Sequence, residues 1–342
     1  MRKSRTVPVA LAVLLPLAAM SPGQAQEGLL VVPNLGNPRG LSVADGALLI
    51  AEQKAGKILS VAPDGTVTTL VEGLPTGEYT SPEGPTVVGV NAVAKSGDTY
   101  FFTIGGSLGT VPGSEALYTM KAGEAPKLLA DLGAYEKENN TGGDVTQDGK
   151  PDIDSNPYDL VPDGEGGAYV VDAAANAVFH VDGQGEIAIH AQFPDRENPL
   201  AGTVGGPTID QVPTGITTGP DGALYVATLT GFPFPAGAAR VYRLADGNGD
   251  GDALDEGEAT VFAEGLTAAT DVAFAPDGTL LVTEFSTDFL KQAPGQLVSV
   301  KDGKVSKVAA PLVSPTGVVV LDDGRIVIAQ EFAGVVAEVA GK

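Results

Sequence analysis

The 342-residue chain contains no cysteine and no tryptophan, only 2 histidines, and 20 basic side chains against 43 acidic ones. Without cysteine there can be no disulfide, thiolate nucleophile, iron–sulfur cluster or cysteine-bound zinc. Two histidines leave little material for a catalytic triad or a multi-histidine metal centre. A formal net charge of −23 repels phosphate backbones, so no nucleic-acid partner is expected. What the chain has in plenty is turn chemistry, with 46 Gly and 25 Pro, and a hydrophobic fraction of 43%, ample for a packed core. All-β folds can exceed ~200 residues as one unit, so this length does not require two domains.

The first segment reads as an export signal. Arg2, Lys3 and Arg5 precede an apolar run from Val7 to Met20, followed by the small-residue stretch Ser21-Pro22-Gly23-Gln24-Ala25. The run is shorter than the ~18 residues of a comfortable transmembrane helix. Cleavage after Ala25 is expected, leaving residues 26–342 as a single domain, secreted to the periplasm or beyond, with no membrane insertion after cleavage. An uncleaved anchor is the alternative.

Gly and Pro recur with a period. One unit reads Pro38-Arg39-Gly40-Leu41-Ser42-Val43, a turn at Asp45-Gly46, Leu48-Leu49-Ile50-Ala51-Glu52, Lys57-Ile58-Leu59-Ser60-Val61, a turn at Asp64-Gly65, then Val67-Thr68-Thr69-Leu70. Short apolar runs separated by hairpin signals describe a four-stranded meander. Related starts appear at Asn91-Ala92-Val93, Pro157-Tyr158-Asp159-Leu160, Pro213-Thr214-Gly215-Ile216, Thr270-Asp271-Val272 and Pro315-Thr316-Gly317-Val318, making six in all. Four-stranded units repeated at this spacing predict an all-β, six-bladed β-propeller of antiparallel blades. After Ala329 the sixth unit has one more strand, Val335-Val336-Ala337-Glu338-Val339, and is then one short. The unassigned run Leu29-Leu30-Val31-Val32 supplies it, closing the ring and removing two exposed sheet edges.

The stretches SNPYDLV (155–161), VPTGITTGPDGALYVATLTGFPFPAGAARVYRL (212–244) and YEKENN (135–140) resemble the ScyD/ScyE family of secreted bacterial propellers, named for the gene cluster of the pigment scytonemin. The resemblance spans nearly all of residues 26–342. It implies a six-bladed exported propeller acting as a binding or scaffold module, and it brings no established reaction. The acidic insert between Asn140 and Asp154 departs from the usual pattern.

Two acidic loops have the spacing of calcium loops. Asp144, Thr146, Asp148 and Asp152 stand at positions 1, 3, 5 and 9, with Gly149 at 6 and the Lys150 carbonyl available at 7. Asp246, Asn248, Asp250 and Asp252 repeat positions 1, 3, 5 and 7 with Gly251 at 6, and Glu258 lies one place beyond the usual terminal glutamate. Alternate oxygen ligands turned around a hard cation would relieve the repulsion among these carboxylates. The expected role for calcium is structural; solvated acidic turns are the alternative.

In a propeller the innermost strands begin at one rim of the channel. Arg39, Asn91, Asp159 and Asp271 are therefore candidate channel residues, together with Thr214 and Thr316. Asn91, Asp159 and Asp271 could hold a divalent cation there. In this they are similar to gluconolactonase and SMP-30-like propellers, whose channel calcium polarises a lactone carbonyl. The competing expectation is that these side chains bond neighbouring blades. Glu52, Asp172, Glu284 and Glu331 form a second polar set at strand ends. Gly105-Gly106-Ser107-Leu108-Gly109 matches a nucleophile elbow, but Pro112 and Gly113 rule out the helix that must follow. His180 and His190 fall in strands and are expected to be satisfied there. Phe232 and Phe234, held by alternating prolines, either pack under a rim loop or stay ready for a ligand. Catalysis is not favoured; a lactonase-like metal-dependent hydrolysis is the alternative. The ligand, small molecule or protein, is not legible, and a monomer is expected.

Overall fold

The computed structural model describes residues 30–81, 84–143 and 153–339. It is a β-propeller of six four-stranded antiparallel blades, each labelled a to d from the channel outward. Blade 1 comprises Pro38–Ala44, Ala47–Glu52, Lys57–Val61 and Val67–Glu72, and blade 2 Val90–Ser96, Thr99–Ile104, Ala116–Lys121 and Lys127–Asp131. Blade 3 comprises Pro157–Pro162, Ala168–Asp172, Ala177–Val181 and Ile187–Gln192; blade 4, Pro213–Thr218, Leu224–Thr228, Ala239–Leu244 and Ala259–Leu266. Blade 5 comprises Ala269–Phe274, Leu280–Glu284, Gly295–Lys301 and Lys304–Leu312. Blade 6 takes Pro315–Val320, Ile326–Gln330 and Val335–Glu338, and its outermost strand is the N-terminal Val31–Val32.

Ring closure is therefore made as the repeat arithmetic requires. Val31 pairs with Ala337 and Val32 with Val336, and the Glu338 N–H donates to the Leu30 carbonyl at 2.9 Å. Val32 is 6% exposed against 46% for Val31, as the two-residue period of a strand dictates.

The same alternation explains why strand b reads as an unbroken apolar run. Leu49 and Ala51 face a cluster shared with blade 2, while Leu48 and Ile50 face one shared with blade 6. In blade 4, Leu224 and Val226 pack toward blade 3 and Tyr225 and Ala227 toward blade 5. Six such clusters lie between neighbouring blades, one per junction. A blade buried on both faces needs apolar side chains at successive positions, whereas strand d, with the pattern eeeiie in blade 1, faces solvent.

Three features are not apparent from the repeat. A helix, Leu132–Asn139, follows blade 2; the Asp131 carboxylate caps it by accepting from the Ala134 N–H at 2.8 Å. Small ribbons, Gly77–Ser81 with Gly84–Val88 and Arg196–Glu197 with Thr208–Ile209, rise between blades 1 and 2 and between blades 3 and 4.

Candidate functional site

Every innermost strand bulges just after it begins. The register shifts between Pro38 and Leu41, Val90 and Ala92, Pro157 and Asp159, Pro213 and Gly215, Ala269 and Asp271, and Pro315 and Val318. A bulge re-aims the side chain of its extra residue. In four blades that side chain latches the next blade. Asn91 Nδ2 donates to the Pro157 carbonyl at 3.0 Å, Thr214 Oγ1 to Ala269 at 3.0 Å, Thr270 Oγ1 to Pro315 at 3.0 Å and Thr316 Oγ1 to Pro38 at 3.1 Å.

In blades 1 and 3 the bulged residues are Arg39 and Tyr158, and these meet each other. The guanidinium donates to the Tyr158 hydroxyl and stands 4.3 Å from its ring centroid. Burial works against the Arg39 charge, but Tyr158 and Glu331 outweigh it and hold the group above its ordinary pKa. Burial likewise raises the Tyr158 phenol.

The residue after the bulge is small in four blades and aspartate in two. A Cβ on Gly215 would lie 2.6 Å from the Asp271 Cα, and one on Gly317 2.3 Å from the Arg39 carbonyl, so adjacent inner strands leave no room there. Asp159 and Asp271 instead reach across to the next inner strand. Asp159 accepts from the N–H of Ile216 at 2.9 Å and of Leu160 at 2.8 Å. Asp271 accepts from the N–H of Val318 and of Val272, both at 2.7 Å. Burial pushes the Asp159 carboxyl up to about 7 against those hydrogen bonds. Asp271 is also raised well above the usual carboxylate range, by burial first and then by the charge of Asp159.

Of the three residues expected to hold a cation, Asp159 lies near enough for its charge to act on Asp271, while Asn91 is engaged elsewhere. Asn91 is 2% exposed; its Oδ1 accepts from Gln53 Nε2 at 2.9 Å, and its Nδ2 is given to Pro157. Among the described residues no three His, Cys, Asp or Glu side chains are grouped to hold a metal ion. The strand-end carboxylates are braces. Glu52 accepts from the Gly36 N–H, Asp172 from Asn156 and Glu284 from Thr267, each fastening the loop that leads into its own blade. Glu331 accepts from Asn37 Nδ2 at 3.3 Å.

The acidic loop after strand c of blade 4 is tied by its own backbone. Asp246 accepts from the N–H groups of Gly249 and Gly251, which lower its pKa. Asn248 Oδ1 accepts from Asp250 N–H, and its Nδ2 donates to the carboxylates of Asp250 and Asp255. Asp252 accepts from Leu254 N–H at 3.0 Å. Glu258 accepts from the N–H groups of Gly247 and Asp255, so it braces the two ends of the loop. The loop leans on blade 3, where the Ala253 N–H donates to the His190 carbonyl at 2.7 Å. The first acidic loop, Asp144, Thr146, Asp148, Lys150 and Asp152, lies outside the described residues.

Both histidines are satisfied. His180 Nε2 bonds Asp163 at 3.0 Å, and His190 Nδ1 bonds the Gly251 carbonyl at 3.2 Å. Ser107 is buried in the strand b to c loop of blade 2, bonded to Ser114 Oγ at 2.6 Å, with no helix behind it.

Phe232 and Phe234 belong to something larger. Strand a begins and strand b ends at the same end of the barrel, so the loops from b to c emerge on the channel rim that carries Arg39. From the loops of blades 4, 5 and 6, five phenylalanines form a chain: Phe232 to Phe234 at 6.2 Å, Phe234 to Phe289 at 4.3 Å, Phe289 to Phe285 at 6.3 Å and Phe285 to Phe332 at 5.8 Å. Phe234 is half-buried, while Phe232 at 51% and Phe332 at 59% stay open to solvent. Phe332 directly follows Glu331, whose charge reaches Arg39.

A domain family of unknown function, DUF7133, matches residues 203–303, which include four of these phenylalanines. No curated protein matches the sequence. Solved propellers share the architecture. A gluconolactonase from Xanthomonas campestris is 13% identical, with 91% of this chain and 89% of that one covered, at a TM-score of 0.58. The calcium-binding protein regucalcin from Agrobacterium tumefaciens is 14% identical, with 90% and 91% covered, at 0.54. Virginiamycin B lyase from Staphylococcus aureus is 16% identical, with 91% and 98% covered, at 0.52. At these identities the likeness is one of fold.

Proposed function

We propose that this propeller is an exported, calcium-stabilised binding or scaffold protein of the ScyD/ScyE type, and that its recognition surface is the phenylalanine chain on the channel rim. The observation that carries this reading is that chain, in which half-buried rings support exposed ones across three blades. Rings held by ring contacts lose little freedom on binding and offer apolar area without prior ordering. The neighbouring channel has spent its polar groups on the fold: Arg39 on Tyr158, Asn91 and three threonines on blade junctions. The ligand is of apolar or aromatic character, consistent with a role in handling a small extracellular metabolite.

Calcium enters through the loop Asp246 to Glu258. Asp246, Asp250 and Asp252 are the right hard oxygen donors, but they are not gathered around one point; calcium would have to draw them inward from the backbone N–H groups they now accept, and among the described residues no salt bridge neutralises them. The regucalcin fold is kin in shape. Bound there, calcium would stiffen a loop that clasps blade 3.

Nile red is a suitable neutral probe of the rim. Its fluorescence should rise on binding, and the double substitution Phe232→Ser, Phe332→Ser should weaken the affinity by about tenfold or more, as lost aromatic contacts imply. Equal binding by the variant would remove the rim as the recognition surface. The second reading, a lactonase-like metal-dependent hydrolase, draws on Asp159 and Asp271 in the channel. It requires metal-dependent turnover of a sugar or aryl lactone that Asp271→Ala abolishes.

A further inference from the structure

Asn248 and Gly249 form the only Asn-Gly pair in the chain, in the loop between strands c and d of blade 4. Both are exposed and lie outside helix and strand, and a Cβ on Gly249 would meet nothing within 4 Å, so water reaches the pair from an open side. An asparagine side chain carries an electrophilic carbon within reach of the next residue's backbone nitrogen. Glycine, with no Cβ, neither shields that nitrogen nor restricts the backbone angles that a ring between the two atoms needs.

Three contacts arrange the attack. Asn248 Oδ1 accepts from the Asp250 N–H at 2.8 Å, a bond to the second residue along that closes a ring containing both reacting atoms, Asn248 Cγ and Gly249 N. The same N–H stands at the oxygen that takes up charge as the carbon becomes tetrahedral. The Gly249 N–H, whose proton must leave, donates to Asp246 Oδ1 at 2.5 Å.

We infer that Asn248 is a self-modification site, at which the folded loop converts its own asparagine to aspartate and isoaspartate. The Gly249 nitrogen bonds to Asn248 Cγ and gives up its proton. The Cγ–Nδ2 bond breaks, and Nδ2 leaves as ammonia carrying that proton. One water then opens the resulting succinimide at either of its carbonyls. The consequence for the loop is specific, because Asn248 Nδ2 donates to Asp250 Oδ2 at 3.0 Å and to Asp255 Oδ2 at 2.6 Å. Its loss replaces the donor between two carboxylates with a third carboxylate. On the calcium reading proposed above, on which this consequence alone rests, the aspartate product adds a hard anionic ligand to the loop.

The other eight asparagines are internal controls. Asn37, Asn156 and Asn198 precede proline, which has no N–H to give up. Asn91 and Asn176 are buried. Asn34, Asn139 and Asn140 precede residues whose side chains crowd the nitrogen.

The test holds the full chain folded in mildly alkaline buffer with a chelator for weeks, so that its result does not depend on calcium. Peptide mapping by mass spectrometry follows the change of amide to acid, and isoaspartyl methyltransferase labelling follows isoaspartate. Both signals should be confined to the peptide bearing Asn248, and the folded chain should convert at least as fast as the same chain unfolded in urea. Asn248→Gln, whose longer side chain must close a larger ring, should lose both signals with an unchanged circular dichroism spectrum. Conversion first at Asn34, Asn139 or Asn140 overturns the proposal. So does slower conversion in the folded chain than in urea, which would mean that the loop's hydrogen bonds guard the amide.

Discussion

Two valines side by side in the N-terminal strand allow ring closure to be tested by its energetics. Val32 is 6% exposed and sits among Leu48, Ile50, Leu59 and Val336, whereas Val31 is 46% exposed on the opposite side of the same strand. Val32→Ala removes two buried methyl groups, about 1.6 kcal/mol of transfer free energy. With the cavity left behind, the expected loss is about 2–3 kcal/mol. Val31→Ala should cost within roughly 0.5 kcal/mol. Unfolding entropy of ~2.1 cal/mol/K per residue makes the Val32 effect roughly 3–5 °C in Tm for a domain of this size. Urea denaturation followed by circular dichroism gives the free energies. A double-mutant cycle with Val336→Ala then asks whether the two ends of the chain communicate, since the pair is in register. A coupling of about 0.5 kcal/mol or more is expected for residues in contact. Equal, small effects at the two valines with no coupling would refute closure by this strand.

Other consequences are as direct. Asp159 and Asp271 have pKa values raised in the folded state, so the folded protein holds protons that the unfolded chain releases above pH ~4. Their contribution to stability should therefore be full below pH ~4 and fall as the pH rises toward 7, and a double Asp159→Asn, Asp271→Asn variant should lose that slope in unfolding titrations. Thr316→Val leaves the Pro38 carbonyl without the 3.1 Å bond that latches blade 6 to blade 1. It should cost about 1–3 kcal/mol in urea denaturation, the penalty of an unsatisfied buried acceptor, with Thr270→Val similar. Calcium at about a hundred times its dissociation constant should stabilise the chelated protein by about 2.7 kcal/mol, and Asp250→Asn should diminish the gain; no change in Tm with calcium would count against the loop as a site.

Blade count, strand order and the loan of an N-terminal strand to blade 6 were legible in the sequence, because each rests on neighbours along the chain. Turn residues fix where strands break, and a two-residue period with apolar side chains on both faces marks strands buried between blades. The rim of the channel was legible only as a set of starts. A single extra residue at each bulge decides which side chain faces the neighbouring blade, so Tyr158 and Thr270 take places that spacing assigned to Asp159 and Asp271. The proline preceding Tyr158, aligned with that before Arg39, was the one local hint. Spacing marked Asn91 as a channel residue but could not show that it latches blades, because its partners Gln53 and Pro157 come from blades on either side. The two phenylalanines of the Gly231-Phe232-Pro233-Phe234-Pro235 loop were visible, but Phe285, Phe289 and Phe332 join them only when three blades are brought to one rim. Sequence alone thus determined the ring and its closure through short-range alternation and turn chemistry. Only the tertiary structure decided the rim and the latches, since each is built from residues that the chain holds far apart and packing makes neighbours.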